Sequence, residues 1–306
     1  MQPLIYAKSE VKEPNIECKL GIEADGIELQ LLGELYNFDT KEIKKATDIF
    51  NLSKFEKYPI TVVHSPLQPG YGDITLEMMC GCQEGKLLDQ VCFIANYFGS
   101  KQHKQITVVV HTEMYLGFLK ALGEPLDKIT FFLQRMLEIY PYIRIGIENV
   151  TPCKLKNDGV LRLANNYKFD NVELVNYFRD RLHTTRIGTV LDTCHAMLAK
   201  KYLMALYTEI GDRITEDYTL NAYFEANKDV CFLIHLADYA GSGYGPKRHG
   251  ILFTPDRAYK CNEILGLYHK YKYSCPITIE VSEDDYLVCD SYRKTREIVL
   301  SCSNFE

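Results

Sequence analysis

Residues 186–203 read RIGTVLDTCHAMLAKKYL. A continuous apolar run, residues 187–191, ends on Asp192, and a helix-like stretch that contains His195 follows it. The apolar run indicates a strand that is buried on both faces, and the stretch after it completes a β/α unit. Asp192 and His195 then stand at the mouth of a buried strand, where polar groups cost free energy unless a metal ion, a substrate or a partner side chain satisfies them.

The same unit recurs along the whole chain. Eight short runs rich in β-branched residues alternate with amphipathic, helix-like stretches. They are LIYAK (4–8), GIELQL (26–31), ITVVHS (60–65), ITVVVH (106–111), IRIGIENV (143–150), IGTVLDTC (187–194), CFLIHLAD (231–238) and ITIEVSE (277–283). Eight β/α units in 306 residues predict an α/β protein with the (β/α)8 TIM-barrel fold, as a single domain over residues 1–306. The alternative is a doubly wound open sheet. The absence of a glycine-rich nucleotide-binding loop after the first predicted strands argues against it.

Composition narrows the class of protein. The chain is 46% hydrophobic and 25% charged, which is typical of a globular domain, and its net charge of −6 argues against a general nucleic-acid binder. The start MQPLIYAK lacks the features of a signal peptide, and the eleven cysteines are scattered, so we expect reduced thiols and a cytoplasmic protein. Without an apolar run of transmembrane length, we expect no membrane partner.

Polar residues gather where the predicted strands end. In a (β/α)8 barrel the carboxyl ends of the strands build the active site. Six consecutive runs place histidine or carboxylate residues there, and the loop after the seventh run adds cations. These residues are His64, His111, Glu148, Asp192, His195, His235, Asp238 and Glu280, with Lys247, Arg248 and His249 in the loop. Taken alone, each also fits a structural role, such as an ion pair with a lysine for Glu148 or Glu280.

As a set, these residue types predict a divalent metal site. Carboxylate oxygen and neutral imidazole nitrogen are the ligands of such ions: carboxylates with one imidazole suit Mn, Mg or Co, and a site richer in histidine suits Zn. The glycine-rich loop around Lys247 and Arg248 is either a clamp for a substrate phosphate or carboxylate, or a surface loop with two solvated cations.

The segments IGIENVTP, VLDTCHA, IHLADY and ITIEVSE, taken in this order, resemble the xylose isomerase-like TIM-barrel superfamily. This superfamily contains sugar and sugar-phosphate isomerases and epimerases, and also apurinic endonucleases of the endonuclease IV type. In the isomerase branch, the resemblance implies one divalent ion held by Glu148, Asp192, His235 and Glu280. It also implies that the two glutamates move the substrate proton and that His195 contacts a substrate oxygen.

The endonuclease IV branch implies a trinuclear zinc site with His64, His111, His195 and His249 as additional ligands. Its Asp-x-His motif reads Lys247-Arg248-His249 here, so a lysine replaces an aspartate ligand. A cation at that position disfavours a third zinc ion, because a protonated lysine has no lone pair to offer. The segment DGIELQLL, with Glu28 at its centre, is similar to the second strand of the isomerases.

The sequence therefore predicts a metal-dependent sugar or sugar-phosphate isomerase or epimerase that works through an enediolate. The expected partner is a small-molecule sugar or sugar phosphate, and a homo-oligomer is compatible with this branch. The alternative is a zinc-dependent phosphodiesterase that acts on abasic DNA, and only this alternative implies a nucleic-acid partner.

Overall fold

A closed barrel of eight parallel strands forms the centre of the protein. The computed structural model describes residues 2–68, 72–112, 120, 122–151, 153–155, 161–163, 170–206, 218–239 and 253–303. The barrel strands are β1 Ile5–Glu10, β2 Gly26–Leu32, β3 Ile60–Gln68, β4 Ile106–His111, β5 Ile143–Glu148, β6 Ile187–Asp192, β7 Cys231–Leu236 and β8 Ile277–Ile279. Each strand pairs in parallel with the strands before and after it, and β1 pairs with β8, so the sheet closes. The predicted (β/α)8 barrel is confirmed, and the open-sheet alternative is wrong; that residues 1–306 form one domain stays a prediction.

Helices follow the strands and pack against the outer face of the barrel. In the described residues they are α1 Glu13–Gly21, α2 Ala46–Ile49, α3 Leu76–Gly81, α4 Lys86–Gln102, α5 Glu124–Ile139, α6 Asp170–Leu182, α7 Thr193–Leu206, α8 Leu220–Asn227, α9 Ala258–Lys270 and α10 Asp290–Ser303. Short antiparallel pairs join Tyr36–Asn37 to Glu42–Ile43 and Cys153–Leu155 to Leu161–Leu163, and Gly72–Asp73 pairs with the end of β3. Across the described ranges, no helix combines the length and the apolar character needed to cross a bilayer.

Helix α5 shows how the sequence determines these elements. Proline stands at its start, where the backbone N–H that it lacks would have no helical partner, and Glu124 lies in the first turn near the positive end of the helix dipole. Ile129, Leu133 and Met136 recur at helical spacing and are buried against the sheet. The amphipathic stretch therefore becomes a helix with one face on the barrel.

The barrel interior holds a layer of apolar side chains directly below the predicted site. Val62, Val109, Val190 and Leu233 are at most 1% exposed and pack together on the barrel axis, with Tyr6 against them. Because side chains alternate along a strand, the residue two positions further on points the same way. On β3, β4, β6 and β7 that residue is His64, His111, Asp192 and His235, respectively. The strand geometry therefore directs these polar side chains into the carboxyl-terminal mouth of the barrel.

A buried ion pair joins the first helix of the chain to the segment before the last helix. Nζ of Lys19 in α1 lies 2.6 Å from Oε1 of Glu283, and both side chains are at most 3% exposed. Glu283 also accepts hydrogen bonds from the backbone N–H groups of Ser291 and Tyr292 in the first turn of α10. The pair thereby ties α1 to the start of the last helix, next to the β1–β8 seam.

Candidate metal centre

Glu148, the last residue of β5, lies at the centre of the site and is 2% exposed. Its Oε2 atom lies 3.1 Å from Nε2 of His111, 3.1 Å from Nδ1 of His235 and 3.4 Å from Nε2 of His64. Despite these distances, neither Oε2 of Glu148, Nε2 of His64 nor Nδ1 of His235 makes a hydrogen bond within the described residues. Buried polar atoms that converge in this way without hydrogen bonds fit a cation between them.

Glu280 and Asp192 extend the cluster on the other side of His235. Oε2 of Glu280, which directly follows β8, lies 2.9 Å from Nδ1 of His235. Asp192 is 1% exposed, and its donor atom lies within 4.8 Å of those of His235 and Glu280. Asn149 holds Asp192 in place, because its Oδ1 accepts from the Asp192 N–H (2.7 Å) and its Nδ2 donates to the Asp192 carbonyl (3.0 Å).

His195 lies in the first turn of α7, where its backbone N–H donates to Oδ1 of Asp192 (2.6 Å). Its Nδ1 lies 2.8 Å from the carbonyl oxygen of Asn149 and 3.5 Å from Oε1 of Glu148. A hydrogen bond from Nδ1–H to the carbonyl leaves the Nε2 lone pair available to a ligand. The side chain is 17% exposed, more than those of His64, His111 and His235, so His195 is the histidine of the cluster most open to a substrate.

Backbone and carboxylate partners also orient the two most buried imidazoles. Nε2 of His235 lies 3.0 Å from Oε2 of Glu28 in the middle of β2, and both side chains are 0% exposed. Donation from Nε2–H to this carboxylate places the lone pair on Nδ1, the atom that faces Glu148 and Glu280. His64 has the reverse arrangement, because its Nδ1 lies 3.0 Å from the carbonyl of Ser65 and its Nε2 faces Glu148. Such partners of metal-binding histidines fix the ring and raise its basicity.

Lys8, at the mouth end of β1, contributes a positive charge to the cluster. Its Nζ lies 2.7 Å from Oε1 of Glu280 and 3.5 Å from Oε1 of Glu28. Burial lowers the pKa of Lys8, but Glu280, Glu28 and Glu148 together outweigh burial and raise the pKa overall, so the ammonium stays charged. Lys8 therefore binds one oxygen of Glu280, while the other oxygen faces His235.

The electrostatics of the cluster favour ionised carboxylates. Burial raises the pKa of Glu148, but His111 and His235 lower it more, so the pKa lies well below its usual range. Burial also lowers the pKa of His235, but Glu28, Glu148 and Glu280 raise it well above the ordinary value. A bound cation would take the place of the His235 proton, since an imidazole binds metal only through its lone pair.

The donor set fits one or two divalent ions. Its ligand atoms, all carboxylate oxygens and imidazole nitrogens, form four groups of three within 4.8 Å: Glu28–His64–His235, His64–His111–Glu148, Glu148–Asp192–His195 and Asp192–His235–Glu280. These atom types suit Zn, Mn, Co or Mg. Glu148 belongs to two of the groups, as do His64, Asp192 and His235, so neighbouring groups share residues.

The structure brings seven of the predicted site residues into this cluster: His64, His111, Glu148, Asp192, His195, His235 and Glu280. Asp238, also expected on the rim, is instead paired with Arg257, whose Nη2 donates to Oδ1 (2.5 Å). Lys247, Arg248 and His249 lie outside the described residues. No role could be assigned to Glu28 or Lys8 from the sequence. The position of Glu28 inside the apolar run GIELQL did indicate that this glutamate has a buried partner.

A cavity of about 280 Å³ opens beside the cluster at the mouth of the barrel. Lys8 and Glu280 form part of its wall, next to Gln30 of β2, Leu67 of β3 and Ser282 after β8. The cavity therefore places charged and polar side chains of the cluster in contact with a space that a small molecule can enter.

Comparison with solved structures identifies proteins that share this fold. Neither a protein-family model nor a curated protein matches the chain. The 3-keto-D-glucoside 4-epimerase YcjR from E. coli is 12% identical with a TM-score of 0.57, over 98% of this chain and 100% of that one. Endonuclease IV from Thermus thermophilus is 12% identical with a TM-score of 0.53, over 98% and 100%. The IOLI protein, solved with a bound zinc atom, is 13% identical with a TM-score of 0.52, over 99% and 98%. The chain therefore has the fold of the xylose isomerase-like TIM barrels.

Proposed function

We propose that the protein is a divalent-metal-dependent isomerase or epimerase of a sugar or sugar phosphate. One observation carries the proposal: Oε2 of Glu148 and Oε2 of Glu280 lie 3.1 Å and 2.9 Å from the same atom, Nδ1 of His235. Glu148 is the last residue of β5 and Glu280 follows β8, and Asp192 forms one ligand group with Glu148 and His195 and another with His235 and Glu280. Two ionisable carboxylates beside one cation are what a proton transfer at a carbon next to a carbonyl requires.

Each residue of the cluster would have a separate role in the proposed reaction. When bound, a divalent cation would supply Lewis-acid polarisation of the substrate carbonyl and stabilise the charge of an enediolate. Glu148 and Glu280 would act as base and acid, one removing the proton from the carbon and the other returning it. Lys8 would keep Glu280 in place through Oε1, and His195 would donate to or accept from a substrate oxygen. The carbon and the face that receive the proton would decide between isomerisation and epimerisation.

The surroundings of the cluster agree with a small polar substrate. The cavity of about 280 Å³ has the polar side chains of Lys8, Gln30 and Ser282 in its wall. Lys247 and Arg248 are proposed to bind a phosphate or carboxylate group of the substrate. The ten cysteines whose side chains the structure describes carry thiols rather than disulfides, which suits a protein that works in the cytoplasm.

One specific observation favours a second candidate, a zinc phosphodiesterase that acts on abasic DNA. His64 and His111 both place Nε2 within 3.4 Å of Glu148, and the three residues form a ligand group that shares Glu148 with the group of Asp192 and His195. Two adjacent ions that share a carboxylate would suit hydrolysis of a phosphodiester, because one ion can activate water while the other holds the leaving oxygen. The proposed isomerase needs a single ion, so metal stoichiometry separates the two functions.

The first experiment is metal analysis by inductively coupled plasma mass spectrometry on protein purified without chelator or nickel. We expect one divalent ion per chain, lost in Asp192→Ala and retained in the double variant His64→Ala/His111→Ala. His269→Ala, in α9 outside the cluster, is the matched control. Aldoses, ketoses and their phosphates are then tested for exchange of a carbon-bound proton in deuterated water.

Two or more zinc ions per chain, lost in the His64/His111 variant, would favour the phosphodiesterase and call for an assay on duplexes with an abasic site. A protein that neither carries a divalent ion nor takes one up on titration would contradict both functions.

A further inference from the structure

Two cysteine thiols meet at the end of the barrel opposite the metal centre. Cys231 is the first residue of β7, and Cys275 lies two residues before β8. Their Sγ atoms are 3.9 Å apart. His235 and Glu280 lie towards the carboxyl ends of the same two strands, so the thiol pair and the cluster sit at opposite ends of one strand pair.

The backbone around the two thiols suits a covalent bond between them. Strands β7 and β8 are hydrogen-bonded neighbours, with Ile234 opposite Ile277. Continued to Cys275, this register places it beside Phe232, one residue from Cys231; with strands about 4.8 Å apart, that offset still leaves the two Cα atoms within the roughly 4.4–6.8 Å that disulfides span. The carbonyl of Cys275 is held by the hydroxyl of Tyr268 at 2.9 Å. The 3.9 Å between the two sulfur atoms must shorten to about 2.0 Å in a disulfide, which requires the two side chains to rotate towards each other.

The two thiols differ in reactivity. Burial raises the pKa of Cys231, but the hydrogen bond from Cys275 is the largest of the effects that lower it overall. The pKa of Cys275 is raised, first because its S–H donates to Cys231 and then because of burial. Both residues are half-buried, whereas Cys92, for example, is enclosed in the core. Cys231 is therefore the better nucleophile of the pair, since the thiolate is the reactive form.

We propose that Cys231 and Cys275 form a site of reversible oxidation, at which hydrogen peroxide converts the two thiols into a disulfide. The Cys231 thiolate attacks one peroxide oxygen, the O–O bond breaks, and the departing hydroxide takes up a proton to leave as water. The Cys275 thiol then attacks the sulfur of the resulting sulfenic acid, an S–S bond forms, the S–O bond breaks, and a second water leaves. Two electrons pass from the sulfur atoms to the peroxide, and a dithiol reductant reverses the change by exchange.

The disulfide would tie the amino ends of β7 and β8 together without touching a donor of the metal centre. We therefore expect oxidation to leave metal stoichiometry unchanged. The proposal is independent of the proposed function, because it depends on the opposite end of the barrel.

The test uses the full chain, treated with hydrogen peroxide, quenched with catalase, alkylated with iodoacetamide and digested with trypsin. Cleavage after lysine and arginine places Cys231 in peptide 229–247 and Cys275 in peptide 273–293. We expect a linked pair of these peptides, lighter by two hydrogens than their sum, that disappears on treatment with dithiothreitol. Because peptide 273–293 also contains Cys289, fragment ions must assign the bond to Cys275.

Three variants test the order of the steps. In Cys275→Ser the sulfenic acid has no resolving thiol, so we expect a dimedone adduct on Cys231, whereas Cys231→Ser should give none on Cys275. Cys82→Ser is the matched control and should form the linked peptides as the parent does. Full alkylation of both thiols in the parent protein after peroxide, or a bond from either of them to another cysteine, would overturn the proposal even if a variant failed to fold.

Discussion

Replacing Glu28 with glutamine tests whether this buried residue prepares His235 for a metal ion. The two side chains meet at 3.0 Å, and both are fully buried, so water cannot replace the lost charge. Glutamine keeps the size of the side chain and an oxygen that accepts from Nε2–H, but it removes the negative charge that strengthens the imidazole as a ligand. Loss of such an outer partner typically weakens metal affinity about 10–100-fold, which corresponds to about 1.4–2.7 kcal/mol.

The measurement is the dissociation constant of Zn or Mn, from competition with a chelator of known affinity, for the parent and the Glu28→Gln variant. Glu138→Gln, at an exposed position in α5, controls for the general effect of removing one carboxylate. Circular dichroism should show the same secondary structure in all three proteins. If Glu28→Gln binds either metal as tightly as the parent does, the hydrogen bond does not prepare His235, and the assignment of Nδ1 as the metal-binding atom loses its support.

Three further predictions concern stability. Lys19→Met leaves Glu283 as an unpaired buried charge, which should lower the free energy of unfolding in urea by about 3–5 kcal/mol. Adding Glu283→Gln to this variant should recover part of that stability. If the losses of the two single variants instead add up in the double variant, the two residues do not act as a pair. Gly146→Ala places a Cβ 2.7 Å from Cγ2 of Val190 inside the barrel, so overpacking should cost about 1–3 kcal/mol, and an unchanged urea midpoint would show that the layer has room to adjust. Removal of bound metal with a chelator should lower the midpoint of thermal unfolding, because the ion binds only the folded protein, and restoring the metal should reverse the shift.

The fold could be predicted because each apolar run maps onto one strand of the barrel. The run 187–194, for example, becomes the strand Ile187–Asp192 and the first turn of α7. The eighth run, residues 277–283, forms a ladder only over Ile277–Ile279. The continuous apolar runs, separated by helix-like stretches, indicate the number and order of the strands, but where the hydrogen bonding stops depends on the neighbouring strand.

The candidate site could be predicted where its residues stand at strand ends, since the barrel gathers those ends at one mouth. Glu28 and Lys8 could not be assigned in this way, because their roles depend on which side chains face each other across the closed barrel. Asp238 follows the same strand-end pattern as the ligands, yet it pairs with Arg257, which is remote in the sequence. The contact between Cys231 and Cys275 likewise depends on the register of β7 against β8.

The apolar layer of Val62, Val109, Val190 and Leu233 gives the candidate site a closed floor. Among the described residues, the cavity beside the cluster opens at the carboxyl ends of the strands, and in the proposed reaction substrate and product would pass there. In the proposed reaction, a proton taken from a bound substrate would exchange with solvent on the mouth side of Glu148, because the apolar layer below it offers no polar carrier. The ratio of proton return to exchange with solvent would then measure how well the site is closed to water during one turnover.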